Sequence, residues 1–569
     1  MAFDARSGRR ALAAAAVAGV AVFAGLFTRL TEFGLYEDDY WSIAPHAGEP
    51  VRGLGSALAW DFVHWPTGRP LNSFLPQALA TVGSTLGGLQ GIYVLAAVGL
   101  AVNGLLVYLV ARRLLSAAAS LVALAAYLLY PADTTRILLV HAGHVQGSMT
   151  FLLVAVLLWF AGGWRRALSY PVAALTLLAY ETAFLPFVAL PLLVPFPRGK
   201  RAVGWAVHLG GCAAAVGADT VARVITGDVR ALAAAHDHWE SLRRMVTSLY
   251  LGPRTSGAAL WSGPVEGVRH VDPLAVASAA ILAAVFALAV LSVAAAPGPS
   301  PQHPAGADAG AAGATPPGRP WPWVLAASIA IWSFSYVLTL INYPPTQVAG
   351  RLTSTHVAAA FPASLAVAAL FEALYRVGTW RGRALLAAVT GWLAALVLHG
   401  HVVQRGYVRA LDGQRRFWSQ ALDLTPDVGA GWTILVGGTP TVVTPIIFSN
   451  AWDDLYVYRQ LTPFGAFDAG APAFGHLGVL GDQVHFERRG GAVYWRPQFW
   501  SADPLSEIDP AKLALLLDEG GVLRRVTELP VGGEVLRATA SIPAVTAPAR
   551  PLADTFVARV LFPDRFPIP

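Results

Sequence analysis

Long uncharged apolar runs separated by short arginine-bearing loops constrain this chain more than any other feature. The runs lie at about 11–27, 89–111, 114–130, 137–163, 168–196, 202–222, 272–296, 322–341, 353–375 and 384–400. A helical span needs about 20 apolar residues, so most of these read as one span each. The run 168–196 is long for one span and short for two. Pro171, Pro186, Pro191 and Pro195 punctuate it, and Glu181 sits near its middle, so it reads as two short helices turning near Glu181. That gives about eleven transmembrane helices. Composition agrees, because 13% of residues are charged against roughly 25% in soluble domains.

Charge placement orients the spans. Lys and Arg accumulate in loops on the cytoplasmic side of a membrane. With the N-terminus inside, the inner loops hold Arg112-Arg113, Arg165-Arg166, Arg198 with Lys200-Arg201, and Arg376 with Arg381 and Arg383. One span at 168–196 would move the later arginine loops outside, so the basic clusters favour two. The basic start before Ala11–Phe27 also suits a signal peptide. The length of that run and the spans after it favour a first transmembrane helix. The net charge of +6 lies largely in these loops, so topology accounts for it and no nucleic-acid partner is implied. The single Cys212 excludes an intramolecular disulfide.

The expected fold is therefore an α-helical polytopic membrane protein over residues 1–401, with a first outer loop at 29–88. A mixed α/β extracytoplasmic domain occupies 402–569. There, Trp432–Val436 and Thr441–Phe448 read as strands, Ala511–Asp518 reads as a helix, and Pro and Gly separate the pieces. The stretch 297–320 reads as a flexible linker. Heavy use of Ala and Arg with little Lys points to a GC-rich bacterial genome, so the expected location of the spans is a bacterial plasma membrane. In the first outer loop, aromatic residues around 51–65 suit a helix lying in the membrane interface.

That loop also carries Glu37-Asp38-Asp39, flanked by Tyr36, Tyr40 and Trp41. Adjacent residues share no helix face and alternate along an extended chain. The acids must then divide their work, one towards a substrate and another holding a metal or a loop. The plain alternative is a solvated helix start. His141 and His144, spaced i, i+3 on one helix face, suit a hydrogen-bonded contact between helices, contact with a donor phosphate, or a metal pair. Glu181, a carboxylate amid apolar residues, needs a partner. Arg351 stands in the outer loop 342–352, where a guanidinium would grip phosphate or anchor the interface. Arg69 and Arg136 are further arginines of this kind. His236-Asp237-His238 has the residue types of a metal cluster, but its two His diverge on a helix and no third ligand is evident, so it reads as structural or solvated. Asp453-Asp454 reads as a turn or a helix start. No Gly-rich nucleotide loop is present, and an outward site lacks cytoplasmic nucleotides, so a donor used there arrives on a membrane-soluble carrier.

An acidic pair in the first outer loop of a many-span chain resembles the integral-membrane glycosyltransferases of the C superfamily. That group includes the protein O-mannosyltransferases and the lipid A aminoarabinose transferases. Arg69-Pro70-Leu71 is similar to an element of some members. Tyr180-Glu181-Thr182-Ala183 with Pro186 is similar to the Lys-Glu-x-Ala…Pro stretch of the tetratricopeptide-linked mannosyltransferases, with Tyr180 in place of the Lys. The segment from Pro131 to Gln146 is also loosely similar to a segment of those enzymes, and the likeness covers roughly residues 10–200 together with the later outer-loop Arg351. The resemblance implies a polyprenyl-phosphate-linked sugar donor, a glycan, lipid or protein acceptor, and inverting transfer on the outer face. In it Asp38 or Asp39 serves as general base, Asp38 being preferred, with Glu37 beside them. Arg351, His141, His144, Glu181 and Arg69 face the donor phosphate. Some relatives use a divalent metal, for which no ligands are assigned. The rival readings are a lipid or polysaccharide transporter or flippase, and a membrane-anchored envelope assembly protein.

Overall fold

The computed structural model describes residues 5–65, 68–196, 198–226, 238–294, 321–337, 345–375, 378–439, 453–464, 471–477, 485–490, 492–496, 505–531, 534–542 and 551–566. The chain is mostly helical up to residue 424, with strands beyond it. The helices are α1 (Ala5–Val22), α2 (Asp39–Ser42), α3 (Leu54–His64), α4 (Pro70–Ala111), α5 (Ala117–Leu128), α6 (Leu139–Ala161), α7 (Gly163–Ala179) and α8 (Leu185–Val188). They continue with α9 (Arg201–Ile225), α10 (His238–Arg269), α11 (Pro273–Ala294), α12 (Trp321–Phe334), α13 (Val357–Leu374) and α14 (Trp380–Leu424). Among the described residues, six helices are long and apolar enough to cross a membrane: Gly8–Glu32, Pro70–Ala111, Leu139–Ala161, Pro273–Val293, Arg351–Leu374 and Trp380–Leu424.

Several helix limits differ from the expected runs. The helix expected to begin at 89 begins at Pro70, which occupies a first-turn position where its missing N–H costs nothing. Gly87 and Gly88 then leave helical geometry, Gly88 with φ 59°. The chain turns there, and a Cβ on Gly83 would meet the Ile92 Cα at 2.5 Å. So α4 is two helices, and the second starts where the apolar run does. The run 168–196 breaks at extended Tyr180, after which only short turns are formed through Leu192. Helix α14 continues past 401 to Leu424 without interruption.

Inside the bundle α4 packs on α6, α6 on α7, and α5 and α12 on α13. Close approach of α4 and α6 depends on Gly143, where a Cβ would lie 2.8 Å from the Pro76 Cα. Gln146, next to the histidines, is used between helices. Its carbonyl and side chain accept from Asn103 Nδ2, and Tyr127 Oη donates to its Oε1 at 3.3 Å. Polar side chains often join helices in apolar surroundings in this way.

Beyond α14, a four-stranded sheet has the order β2 (Ala473–His476), β1 (Thr433–Thr439), β6 (Leu513–Glu519), β7 (Leu523–Val526). β1 runs parallel to β2 and β6, and β7 is antiparallel to β6. Helix α15 (Asp453–Leu461) lies between β1 and β2 in the chain, and α16 (Phe556–Leu561) closes the unit. Two smaller antiparallel sheets accompany it, one of β3 (His485–Arg489), β4 (Ala492–Arg496) and β5 (Ser506–Glu507), the other of β8 (Glu528–Val531) and β9 (Glu534–Arg537). The helix expected at 511–518 is instead a short 3-10 turn followed by strand β6. Leu513–Leu516 are buried in succession, as in a strand covered on both faces, and a short apolar run does not reveal its type by periodicity. Among the expected features, residues 297–320, 441–448 and 236–237 lie outside the described residues.

Candidate active site

The acids sit where the chain leaves α1 and turns. Phe33 is extended, Glu37 adopts φ 48°, and a single helical turn, α2, begins at Asp39. A left-handed non-glycine residue is costly and clusters at functional sites. The turn sends Asp39 to one side and Glu37 with Asp38 to the other.

Asp39 faces inward and is fully buried. Its Oδ1 accepts from the Val140 N–H at 2.8 Å, and its Oδ2 accepts from the Tyr36 N–H at 3.2 Å. Val140 lies in the first turn of α6, where N–H groups have no partner within the helix and negative charge is favoured. Asp39 therefore caps α6 and holds the loop beside His141. Burial pushes its carboxyl up to about 8, against the pull of the backbone N–H groups of Val140, Tyr36 and Leu139.

Glu37 and Asp38 turn towards Arg351. One guanidinium nitrogen donates to Glu37 Oε2 and to Asp38 Oδ1, both at 3.0 Å, and the other donates to Asp38 Oδ2 at 2.5 Å. Asp38 takes the two-pronged contact typical of arginine. Glu37 is the surplus carboxylate of the triad. It is 1% exposed, and its Oε1 has no hydrogen-bond partner among the described residues. Burial pushes Glu37 up to about 7 although Arg351 pulls the other way. One guanidinium already matched by Asp38 does not neutralise a second buried carboxylate.

Arg351 is fixed by its own loop. Gly350 has φ 87°, and its N–H donates to Thr134 Oγ1 at 3.0 Å, while the Thr134 N–H donates to Thr353 Oγ1 at 3.0 Å. The segment after α5 thus locks the arginine loop in place.

Next to this triad stand His141 and His144 of α6, each 6% exposed. Their rings meet edge to face at 5.5 Å, and neither Nδ1 has a partner among the described residues. Arg351 acts electrostatically on His141, and both Asp38 and Arg69 act on His144. His144 lies 6.0 Å from the ring of Tyr180. Beyond it Glu181 pairs with Arg69 at 3.0 Å and with Arg223 at 3.7 Å, and Arg223 pairs with Asp219 at 2.9 Å. Two charged groups therefore flank a histidine pair. One, Glu37, Asp38 and Arg351, carries formal charge −1 when ionised. The other, Arg69, Glu181, Arg223 and Asp219, is balanced.

The structure thus brings Glu37, Asp38, Asp39, His141, His144, Glu181, Arg69 and Arg351 into one connected cluster. Sequence reasoning missed Arg223 and Asp219. Their signal was an Asp and an Arg at i, i+4 at the end of the apolar run 202–222. Arg136 stands apart from the cluster. It donates to the Tyr127 and Leu128 carbonyls at the end of α5 and pairs with Asp133 at 3.3 Å, which is a helix-capping role. Asp453-Asp454 begin α15, and His236 and Asp237 lie outside the described residues. A small pocket is lined by Leu26, Tyr130, Asp133, Arg136, His399 and Val403 among others, and by none of the cluster acids. Among the described residues, no three or more His, Cys, Asp or Glu side chains gather as a metal site.

No family model matches this chain, and neither the curated proteins nor the solved structures contain a significant match to it.

Proposed function

We propose that this protein is a membrane glycosyltransferase that moves a sugar from a polyprenyl-phosphate carrier to an acceptor hydroxyl on a glycan, lipid or protein. The observation that carries the reading is the pairing of Asp38 with Arg351 across 313 residues of chain, at 3.0 Å, beside a buried histidine pair. Asp38 accepts the proton of the acceptor hydroxyl. The hydroxyl oxygen attacks the anomeric carbon, the bond from that carbon to the phosphate oxygen breaks, and the polyprenyl phosphate leaves with the electron pair. The anomeric configuration inverts. Arg351 already stands next to the base, so its guanidinium can stay within reach of the phosphate as charge develops. His141 and His144 offer further hydrogen bonds to that phosphate, and Arg69 extends the cationic lining with Glu181 as its counter-charge. Asp39 acts through position, because its oxygens are committed to Val140 and Tyr36.

The same reading gives the chain about eleven spans in a bacterial plasma membrane, with the N-terminus inside and residues 402–569 outside. The test is transfer from labelled polyprenyl-phosphate sugars by purified protein in membranes. A positioned general base commonly contributes about 10²–10⁴-fold, so Asp38→Asn should lose at least about a hundredfold with the protein still folded. Undiminished transfer by Asp38→Asn sinks the mechanism. Movement of unmodified substrate across vesicles would favour a transporter instead.

A further inference from the structure

Residues beyond the last apolar run take no part in the chemistry proposed for the acids. Three of their side chains nevertheless reach the acid-bearing turn. Gln414 of α14 is fully buried. Its Oε1 accepts from the Tyr40 hydroxyl, and its Nε2 donates to the Leu35 carbonyl at 3.2 Å. Gln460 of α15 donates from Nε2 to the Tyr40 carbonyl at 3.2 Å. Its own carbonyl accepts from Thr555 Oγ1 at 2.8 Å, just before α16. The two glutamines therefore grip both ends of the segment that holds Glu37, Asp38 and Asp39.

Tyr407, about two turns past the end of the last apolar run, reaches both halves of the cluster. Its ring meets Tyr36 edge to face at 4.9 Å. Its hydroxyl donates to the Thr134 carbonyl at 2.9 Å, and Thr134 is the residue that holds the Gly350–Thr353 loop. Leu411 fills the space beside Gly34, where a Cβ would lie 2.3 Å from its Cδ1.

We propose that Gln414, Gln460 and Tyr407 are positioning residues, through which the C-terminal part of α14 and helix α15 set the acids of the first loop against Arg351. Each glutamine is buried and makes hydrogen bonds whose loss leaves a buried partner unsatisfied, which is expensive. The acid turn closes on itself through backbone bonds, from the Asp39 N–H to the Tyr36 carbonyl at 3.0 Å and from the Ile43 N–H to the Asp39 carbonyl at 2.9 Å, but it is only one helical turn long. The side chains packed behind it fix where that turn stands against Arg351. The word positioning rests on the transferase reading. The contacts do not.

The experiment reads the acids without needing a substrate. Dicyclohexylcarbodiimide reacts with protonated carboxyls in apolar surroundings, and Glu37 and Asp39 hold protons at about pH 6 because burial raises both. Full-length protein in nanodiscs is treated with the reagent, and modification of Glu37 and Asp39 is followed by peptide mass spectrometry. Gln414→Leu and Gln460→Leu should each change the labelling rate of Asp39 by about tenfold, as loss of a buried hydrogen bond loosens the turn. Trp332→Phe removes a different, half-buried bond, to Ser256 Oγ at 3.0 Å, and should leave labelling unchanged. Unaltered labelling in both glutamine variants, or an equal change in Trp332→Phe, overturns the proposal. Where Gln414→Leu does not fold, Tyr40→Phe removes only the hydroxyl and is read in its place. In the transfer assay the same variants should lower kcat about tenfold with KM unchanged. If labelling shifts while wild-type protein transfers no sugar, the positioning stands and the transferase reading falls.

Discussion

Asp38 and Asp39 are neighbours with different surroundings, and the difference assigns their work. Asp38 keeps its carboxylate towards Arg351 and the histidines, whereas Asp39 spends both oxygens on backbone N–H groups. Substitution should separate them. Asp38→Asn should abolish transfer with little change in Tm, and Asp39→Asn should change stability first. The pH dependence gives the sharper test. The Asp39 carboxyl in the folded protein titrates near 8, above its ordinary 3.8. The folded state therefore holds a proton that the unfolded chain has released. Stability from this group is present at low pH and is lost as pH rises towards about 8. Thermal unfolding followed across this range should show a falling Tm in wild type and a flatter profile in Asp39→Asn. A steeper fall in the variant would contradict the assignment.

Among elements, α6 concentrates the requirements of the site. Its first turn is capped by Asp39 and carries His141, with His144 one turn on, and Gly143 between them lets α4 come into contact. Gly143→Ala places a Cβ 2.8 Å from the backbone of Pro76, which a flexible side chain cannot relieve. The variant should lose about 1–3 kcal/mol, as overpacked cores do, measurable by thermal or denaturant unfolding in detergent. Gly55 in α3 is a useful contrast, since a Cβ there meets nothing within 4 Å. Gly55→Ala should be neutral or slightly stabilising through helix propensity. Sequence patterning located α6 within two residues at each end, because a long apolar run has few alternatives to a helix. It failed at 511–518, where Ala and Leu favour a helix locally but pairing with β1 makes a strand.

For the whole molecule, the orientation inferred from the arginine loops is open to labelling. Cys212 is the only cysteine, so Cys212→Ser gives a clean background. Ser56→Cys in the first loop should react with a membrane-impermeant maleimide added outside. Ala161→Cys, at the end of α6 beside Arg165-Arg166, should react only after permeabilisation. The opposite pattern would invert the proposed topology and remove the argument for a lipid-carried donor. The strand-bearing unit also gains a definite place in the molecule. α15 and the extended α14 pack against the acid turn.

Read alone, the sequence determined that the chain is rich in apolar helices, placed several of their limits, and singled out the acids at 37–39 as unusual. These signals are local, since hydrophobic run length and loop charge are written in consecutive residues. It also named Arg351, His141, His144, Glu181 and Arg69 separately, but nothing local could join them. Tertiary packing alone decided that Arg351 faces Asp38 and Glu37, that Asp39 caps a helix, and that Arg223 and Asp219 complete the charges around Glu181. It also decided that Gln414 and Gln460 hold the acid turn. The physical reason is that a buried charge or amide must find its partner in space, and the partners here lie tens to hundreds of residues away along the chain.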